Sequence, residues 1–407
     1  MNAINSIRTM QEQAGASFLS YGPAPDDSSE PTSTTVELVE TFGEYEAEYA
    51  AIRKGAGIFI AAQRGLVEVT GKDRIEFLHR MLTNDTRQLQ PGQSRRAFLL
   101  SKQGRILVDM LILHEAHRTL LMLDRVDVSL LIKELDKYLF TEDVKLRDAS
   151  DEYVQIALHG AKAGALVNAI AGEDAASTDA MENMHHAGLT LLGAPCIVSR
   201  FDETGSPGLT VIMPGASAVA IYEACVEAVG GLVPGTPRAD DSSEGEQAPQ
   251  VDPKRALVGR GIGWLAYNTA RLEANRPLFH IDFGPDSLPA ETGLLDETVS
   301  FTKGCYLGQE VVARMQHLGH PKRKIVALRC KDDRLPIAGS QVFEKGETDD
   351  KPGAVVGVIT SSTISPLAGN TAIALATVKW GKHSDGAELL APAEGVMVPV
   401  KVGAMKG

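Results

Sequence analysis

Three observations lead this 407-residue sequence to an α+β fold class with an all-β domain at its C-terminal end. Between residues 65 and 149 the pattern runs strand, helix, strand, strand, helix, strand. That order builds a helix-covered α+β layer rather than a doubly wound parallel sheet. From Lys324 onward the helical periodicity gives way to short β-prone runs joined by turns, which indicate a small barrel. Hydrophobic residues at 43% and charged residues at 23% belong to a chain that can bury a core, and the length suggests two or three domains.

Residues 1–20 read as a short helix, and Tyr21 to Thr35, rich in Gly, Pro, Asp and Ser, as an arm or linker. The globular part begins near Val36. Glu44 to Lys54 is helical, Gly57 to Ile60 extended, and Gly65 to Gly71 an alternating strand. Asp73 to Leu82 carries Ile75, Phe77, Leu78 and Leu82 at helical spacing, and Thr83-Asn84-Asp85-Thr86 ends it. Arg96 to Leu100 and Arg105 to Leu113 form a hairpin about the turn Ser101 to Gly104. A strand at Thr119 to Leu123, a helix at Val126 to Tyr138 and an edge strand at Val144 to Leu146 follow.

The next stretch predicts strands at Tyr153–Leu158, Leu189–Leu191, Ile197–Arg200 and Leu209–Met213. Helices are predicted at Lys162–Ala171, Ala216–Val229 and Ala266–Glu273, with a polar loop at Glu173–Asp179. Gly230 to Pro253, rich in Gly, Pro and acidic residues, reads as an exposed loop. The glycines of Gly259-Arg260-Gly261-Ile262-Gly263 lack the dinucleotide spacing and read as a turn. In the last part, Ile325–Leu328, Ala354–Thr360, Ala372–Val378 and Val396–Val402 are the barrel runs.

Charge and cysteine usage narrow the function classes. A net charge of −13 argues against general adhesion to nucleic acid or anionic membranes, while leaving room for a local basic pocket. The cysteines Cys196, Cys225, Cys305 and Cys330 lie far apart, with neither a disulfide framework nor zinc spacing. His185-His186 has no identifiable partner ligands, so no metal site is expected. The first residues lack a signal-peptide core, and no apolar run approaches the ~20 residues a membrane span needs. A cytoplasmic protein in a reducing compartment is expected.

Three clusters can carry chemistry. The stretch Phe301-Thr302-Lys303-Gly304-Cys305-Tyr306-Leu307-Gly308-Gln309-Glu310 precedes an amphipathic helix, Val311 to Leu318. Cys305 would sit ahead of that helix N-terminus with Lys303 two residues away, and both influences favour a thiolate. An inert buried cysteine in a turn fits the spacing as well. The hairpin places Asp109 in an otherwise apolar strand, where it needs a cation or hydrogen bonds to ionise. Pairing with an arginine and a functional acid are both open. Finally, Tyr267 to Pro277 carries Asn268, Arg271 and Glu273 on a helix stopped by proline; Arg271 could grip a carboxylate or anchor an interface. The basic sequel Arg314, His317, His320, Lys322, Arg323, Lys324 and Arg329 is an anion site or a solvated face.

Phe301 to Glu310 closely resembles the signature of the folate-binding relatives of the glycine-cleavage T-protein, the YgfZ-type branch that includes iron–sulfur assembly factors. Ala56–Phe59, Val69–Gly71, Leu82–Asp85, Gly104–Asp109 and Arg271–Glu273 fall in that family's order, from about Glu37 to the C-terminus. The resemblance implies two α+β (ferredoxin-like) units and a C-terminal β-barrel around a central channel that binds tetrahydrofolate. It implies an arm at 1–35, a discontinuous domain at 36–64 and 150–275, and a second α+β domain at 65–149. A connecting segment at 276–323 and a barrel at 324–407 complete it.

T-proteins resemble Gly-Gly-Ile-x-Asp-Asp at the hairpin, where Val108 here replaces the first acid and Asp109 remains. Ser206 stands where their Tyr-Thr-Gly-Glu-Asp-Gly segment carries its Glu, and they lack the cysteine at 305. These departures point to the YgfZ-like branch. The resemblance then implies a folate-binding accessory protein of iron–sulfur enzyme maturation or tRNA modification. Cys305, Lys303 and Asp109 would be its reactive group and helpers. Arg271, Glu273, Tyr306, Gln309 and Arg323 would lie toward the cofactor. The expected partners are the folate and an iron–sulfur client protein. A tetrahydrofolate-dependent aminomethyl- or methyltransferase using Asp109 is the alternative, and a scaffold touching tRNA through the basic strip a third.

Overall fold

The computed structural model describes residues 3–22, 35–171, 178–233, 258–346 and 352–403. Most of the predicted arm at 21–35, of the loop at 230–253 and of the polar loop at 173–179 lies outside the described residues. Two compact units divide the chain. The first comprises Met1–Lys72, Gln90–Ser94 and Leu111–Tyr267; the second comprises Asp73–Leu89, Arg95–Met110 and Asn268–Gly407. Among the described residues no helix is long and apolar enough to cross a membrane.

The first unit is organised on a six-stranded sheet. Its order is His186–Leu191, Ala194–Arg200, Gly208–Pro214, Tyr153–His159, Ala56–Ile60 and Gly259–Gly261. Every pairing is antiparallel except the last. Along Tyr153–His159 the alternate residues Val154, Ile156 and Leu158 share one core with Leu166, Val167, Ile221 and Tyr222 of two helices, Ala163–Ala171 and Gly215–Ala228. The period-2 alternation of the strand thus faces the apolar stripes of the helices. The N-terminal helix Ala3–Gln13 adds Ile7 to the same core. Ser17–Tyr21 then pairs with Val36–Thr41, a strand that the sequence reading missed.

The glycines at 259–261 are corrected from turn to strand. They pair in parallel with Ala56–Ile58 in a crowded slot. A Cβ on Gly259 would stand 2.6 Å from the Ala56 carbonyl oxygen, and one on Gly261 2.7 Å from the Phe42 ring. Glycine is there because two backbones and a ring leave no space for a side chain.

Elsewhere in the first unit Arg64–Thr70 pairs antiparallel with Thr119–Asp124 and with Lys145–Asp148. In the second unit the turn Ser101–Gly104 is closed by hydrogen bonds between Ser101 and Arg105 and between Gly104 and Ser101, with Gly104 at φ +73°. The predicted barrel is present and closes with six strands, in the order Arg323–Cys330, Thr371–Lys379, Pro352–Ser365, Gln341–Lys345, Glu388–Ala393 and Val396–Val402. Closure leaves no unpaired edge. Its interior is filled by Leu328, Val342, Val356, Ala374, Leu389 and Val398. The second and fifth of these residues belong to strands not foreseen, because Gln341–Lys345 and Glu388–Ala393 are short and mix charge with apolar residues.

Candidate functional site

The stretch Phe301–Glu310 is a clamp in the second unit. Helix Arg74–Met81 ends beside it, leaving carbonyls without intrahelical partners. The Lys303 ammonium donates to the carbonyl oxygens of His79 at 2.5 Å, Leu82 at 2.6 Å and Asn84 at 3.0 Å. All three ammonium hydrogens are thereby taken, and a cation at a helix C-terminus also complements the helix dipole. Burial pushes the Lys303 pKa down to about 8, against the pull of Asp85. Leu307 N–H adds a further bond to the Arg80 carbonyl at 3.3 Å.

The same stretch grips the hairpin. Gly308, at φ +81°, precedes helix Gln309–Leu318. A Cβ there would meet the Ser101 oxygen at 2.5 Å, and one on Gly104 would meet Val311 at 2.7 Å. Two glycines let the turn and the helix start approach closely. Gln309 Oε1 accepts from Tyr306 N–H at 3.3 Å, folding the turn back on itself. The Tyr306 ring is buried with Phe98, Leu100, Val299 and Val312, and burial pushes its phenol up to about 12. Between these anchors Cys305 is exposed, whereas Cys196, Cys225 and Cys330 are buried.

Beside the clamp, Thr83 Oγ1 donates to the Thr298 carbonyl and accepts from Phe98 N–H; Asn84 Nδ2 donates to the carbonyls of Arg96 and Glu297. The Leu82–Asp85 motif is therefore a polar tie rather than a simple helix breaker. Arg96 holds Asp109 through both carboxylate oxygens, at 2.9 and 2.5 Å. Glu297 lies 3.5 Å from Arg96 and pairs with Arg276. A bidentate arginine of this kind sets the orientation of a nearly buried carboxylate.

The other predicted residues are each satisfied close by. Arg271, 1% exposed, donates to Asp282 at 2.6 Å, to Ser361 and Asn268 at 2.9 Å and to the Arg276 carbonyl. Glu273 accepts from Ser365 Oγ and Leu367 N–H. Arg323 meets Glu291 at 3.5 Å. Lys303, Tyr306 and Gln309 meet in the clamp. Arg271 and Glu273 are tied to the barrel strand Pro352–Ser365 and the residues after it.

A second polar cluster, in the first unit, escaped the sequence reading. Tyr267 stacks on Phe59 with ring centroids 5.6 Å apart and 5° between planes, and Trp264 and His159 also pack on it. Glu203 accepts from Tyr267 at 2.9 Å and from Arg64 at 2.9 Å. Tyr21 donates to Asp124 at 2.5 Å. His159, 3% exposed, has no hydrogen-bond partner on either ring nitrogen among the described residues, and burial pushes its pKa down to about 4. The residues come from six separated segments, so no spacing along the chain could have joined them. A half-buried acid and arginine and a buried histidine beside an aromatic cluster form an environment suited to a flat, polar-edged ligand.

An α+β body with a closed C-terminal barrel, a clamp-mounted thiol and an aromatic–carboxylate cluster defines the class. The chain belongs to the glycine cleavage T-protein family: residues 20–243 match the GCVT N-terminal domain and residues 323–406 the glycine cleavage T-protein C-terminal barrel domain. It is 28% identical over 341 residues to an aminomethyltransferase of Bacillus licheniformis, covering 83% of this chain and 84% of that protein. An aminomethyltransferase of Bacillus subtilis is 27% identical over 342 residues, with the same coverage. The crystal structure of glycine cleavage system aminomethyltransferase T from Bartonella henselae superposes with a TM-score of 0.77 at 23% identity, over 98% of this chain and 96% of that one. That likeness establishes the shared fold.

Proposed function

We propose that the protein is a reduced-folate-binding member of this family, of the YgfZ type, that supports iron–sulfur enzymes and uses Cys305 as its reactive group. The observation that carries the reading is the contrast inside one turn. Its lysine and tyrosine are buried and its glutamine is bonded back into the turn, whereas its cysteine, the one nucleophilic side chain of the four, is exposed. An exposed thiol on a turn whose neighbours are tied into the fold, a few residues ahead of a helix, is a placement that suits nucleophilic or sulfur chemistry.

Tetrahydrofolate fits residues of the first unit. The stacked Tyr267 and Phe59 rings and Trp264 form an apolar aromatic wall, Glu203 is a carboxylate acceptor, and His159 has two buried ring nitrogens without partners among the described residues. Once bound, the folate supplies a carrier for a one-carbon unit. Glu203 would hold the pterin edge, with Arg64 and Tyr267 orienting that carboxylate. Lys303 holds the turn that displays Cys305.

Calorimetric titration with tetrahydrofolate under reducing conditions tests the ligand. Saturable micromolar binding, weakened at least about tenfold by Glu203→Gln, is expected; no binding sinks the folate reading. Cys305→Ala should bind folate normally and lose support of iron–sulfur enzyme activity, and a fully active variant removes the thiol role.

The relatives' name favours a second reading, tetrahydrofolate-dependent aminomethyl transfer with Asp109 as the acid. Against it, both Asp109 oxygens are held by Arg96. Turnover of an aminomethyl-lipoyl carrier that vanishes in Asp109→Asn would establish it.

A further inference from the structure

One end of the barrel carries a polar aromatic feature that folate binding leaves unused. Trp380, one of two tryptophans in the chain, is 40% exposed directly after strand Thr371–Lys379. The His320 ring lies parallel to it, with centroids 4.8 Å apart and 4° between planes, and His383 lies at 4.2 Å and 34°. His383 Nδ1 accepts the Gly381 N–H at 3.1 Å, and burial with the nearby Lys324 and His320 charges lowers its pKa. The His383 ring thus lies tilted against Trp380, anchored by the Gly381 N–H.

Backbone register brings cations to these rings. Trp380 N–H donates to the Lys322 carbonyl at 2.9 Å. Arg323 and Lys324 are the cross-strand partners of Lys379 and Val378. Arg323 is engaged by Glu291, and Lys382 by Glu344. Neither Lys322 nor Lys324 has a carboxylate partner among the described residues. Unpaired surface lysines alone are ordinary. Beside a stack of three rings, on a chain of net charge −13, they make a surface with two kinds of recognition element.

We propose that this end of the barrel binds single-stranded nucleic acid, with phosphates on Lys322 and Lys324 and a base packed against the Trp380–His320–His383 stack. Aromatic faces beside cations suit unpaired bases, whose π-faces a duplex hides. A lipid surface would be met by exposed aliphatic side chains rather than imidazoles. The inference stands apart from the folate and thiol readings.

The test titrates the full-length protein with fluorescein-labelled oligouridylate and its deoxy counterpart, following anisotropy and tryptophan quenching. Saturable binding is expected, falling with salt at a log–log slope of about −1.4 for two phosphate contacts on a single strand. Trp380→Ala should weaken it by about tenfold or more and Trp380→Phe by less. The surface pair Lys322→Glu/Lys324→Glu should lose at least about tenfold while leaving the circular dichroism spectrum unchanged. If Trp380→Ala fails to fold, the lysine pair and Trp380→Phe still decide. The proposal is overturned by no binding at low salt, by equal affinity for duplex, by binding that survives the lysine pair, or by association with anionic vesicles but not oligonucleotides. A preference for the ribose strand would identify RNA as the ligand.

Discussion

The helix end Tyr267–Pro277 and the turn Phe301–Glu310 look alike as sequence, both dense in polar groups and both punctuated by Gly or Pro. In the first, Arg271 lies against Asp282, which is itself fully buried and accepts from Thr360 and Ser361, while Glu273 accepts from Ser365 and Leu367. Its polar groups join helix to barrel. In the second, Lys303 is consumed in the same way, yet two residues later Cys305 is exposed. A polar cluster does structural work where every donor finds an acceptor. Function is then sought in the group that the network leaves over.

Substitutions in the buried networks should therefore cost stability, and substitution of the exposed group should not. Arg271→Ala strands the Asp282 carboxylate in the interior and should lower unfolding free energy by about 3–5 kcal/mol in denaturant titrations. A near-neutral result would mean that solvent reaches Asp282 and that the network is open to ligand after all.

Acidification comes next. His159 has a folded pKa of about 4 against the usual 6.5. Above pH 6.5 both states are neutral; between 6.5 and 4 only the unfolded chain takes the proton, so stability falls as pH drops through that window, by up to about 3 kcal/mol. His159→Leu should flatten this part of the stability–pH curve, and an unchanged slope would place the uptake elsewhere. Bound tetrahydrofolate that engages His159 should also reshape it.

Lys303→Met leaves three carbonyls unmet at a helix end and should cost about 2–3 kcal/mol. Gly308→Ala presses a methyl onto the Ser101 oxygen from a left-handed backbone and should cost about 1–3 kcal/mol. Both are read by thermal melts. Either one proving neutral would mean that the clamp is not rigid.

The smallest stability effect is the sharpest test. Cys305→Ala should change stability by under about 0.5 kcal/mol. In the native wild type, a thiol reagent should modify one of the four cysteines quickly, and none quickly in this variant. Two or more fast thiols in the native protein would break the contrast between Cys305 and the rest.

The α+β class, the barrel and most strands and helices were legible because they rest on local periodicity, which a sequence displays directly. Tyr153–His159 alternates, and the helix Gly215–Ala228 was read within a residue of each end. Gly259–Gly261 was misread because its reason for being glycine lies in Ala56 and Phe42, some 200 residues away by sequence number. Within the signature, residue types and order sufficed to single out Lys303, Cys305 and Gly308. Their division of labour was not written there. Only the folded chain brings Arg74–Met81 and the hairpin turn to that stretch, burying the lysine and exposing the thiol.

The cluster of Tyr21, Phe59, Arg64, Asp124, His159, Glu203 and Tyr267 was wholly a product of tertiary structure, since its members share no window of sequence. By itself, then, the sequence determined most of the segments that become strands and helices and which residues are chemically capable. Tertiary structure alone decided which capable residues are satisfied, because a hydrogen bond or ion pair depends on distances of a few ångströms between segments that sequence order leaves unspecified.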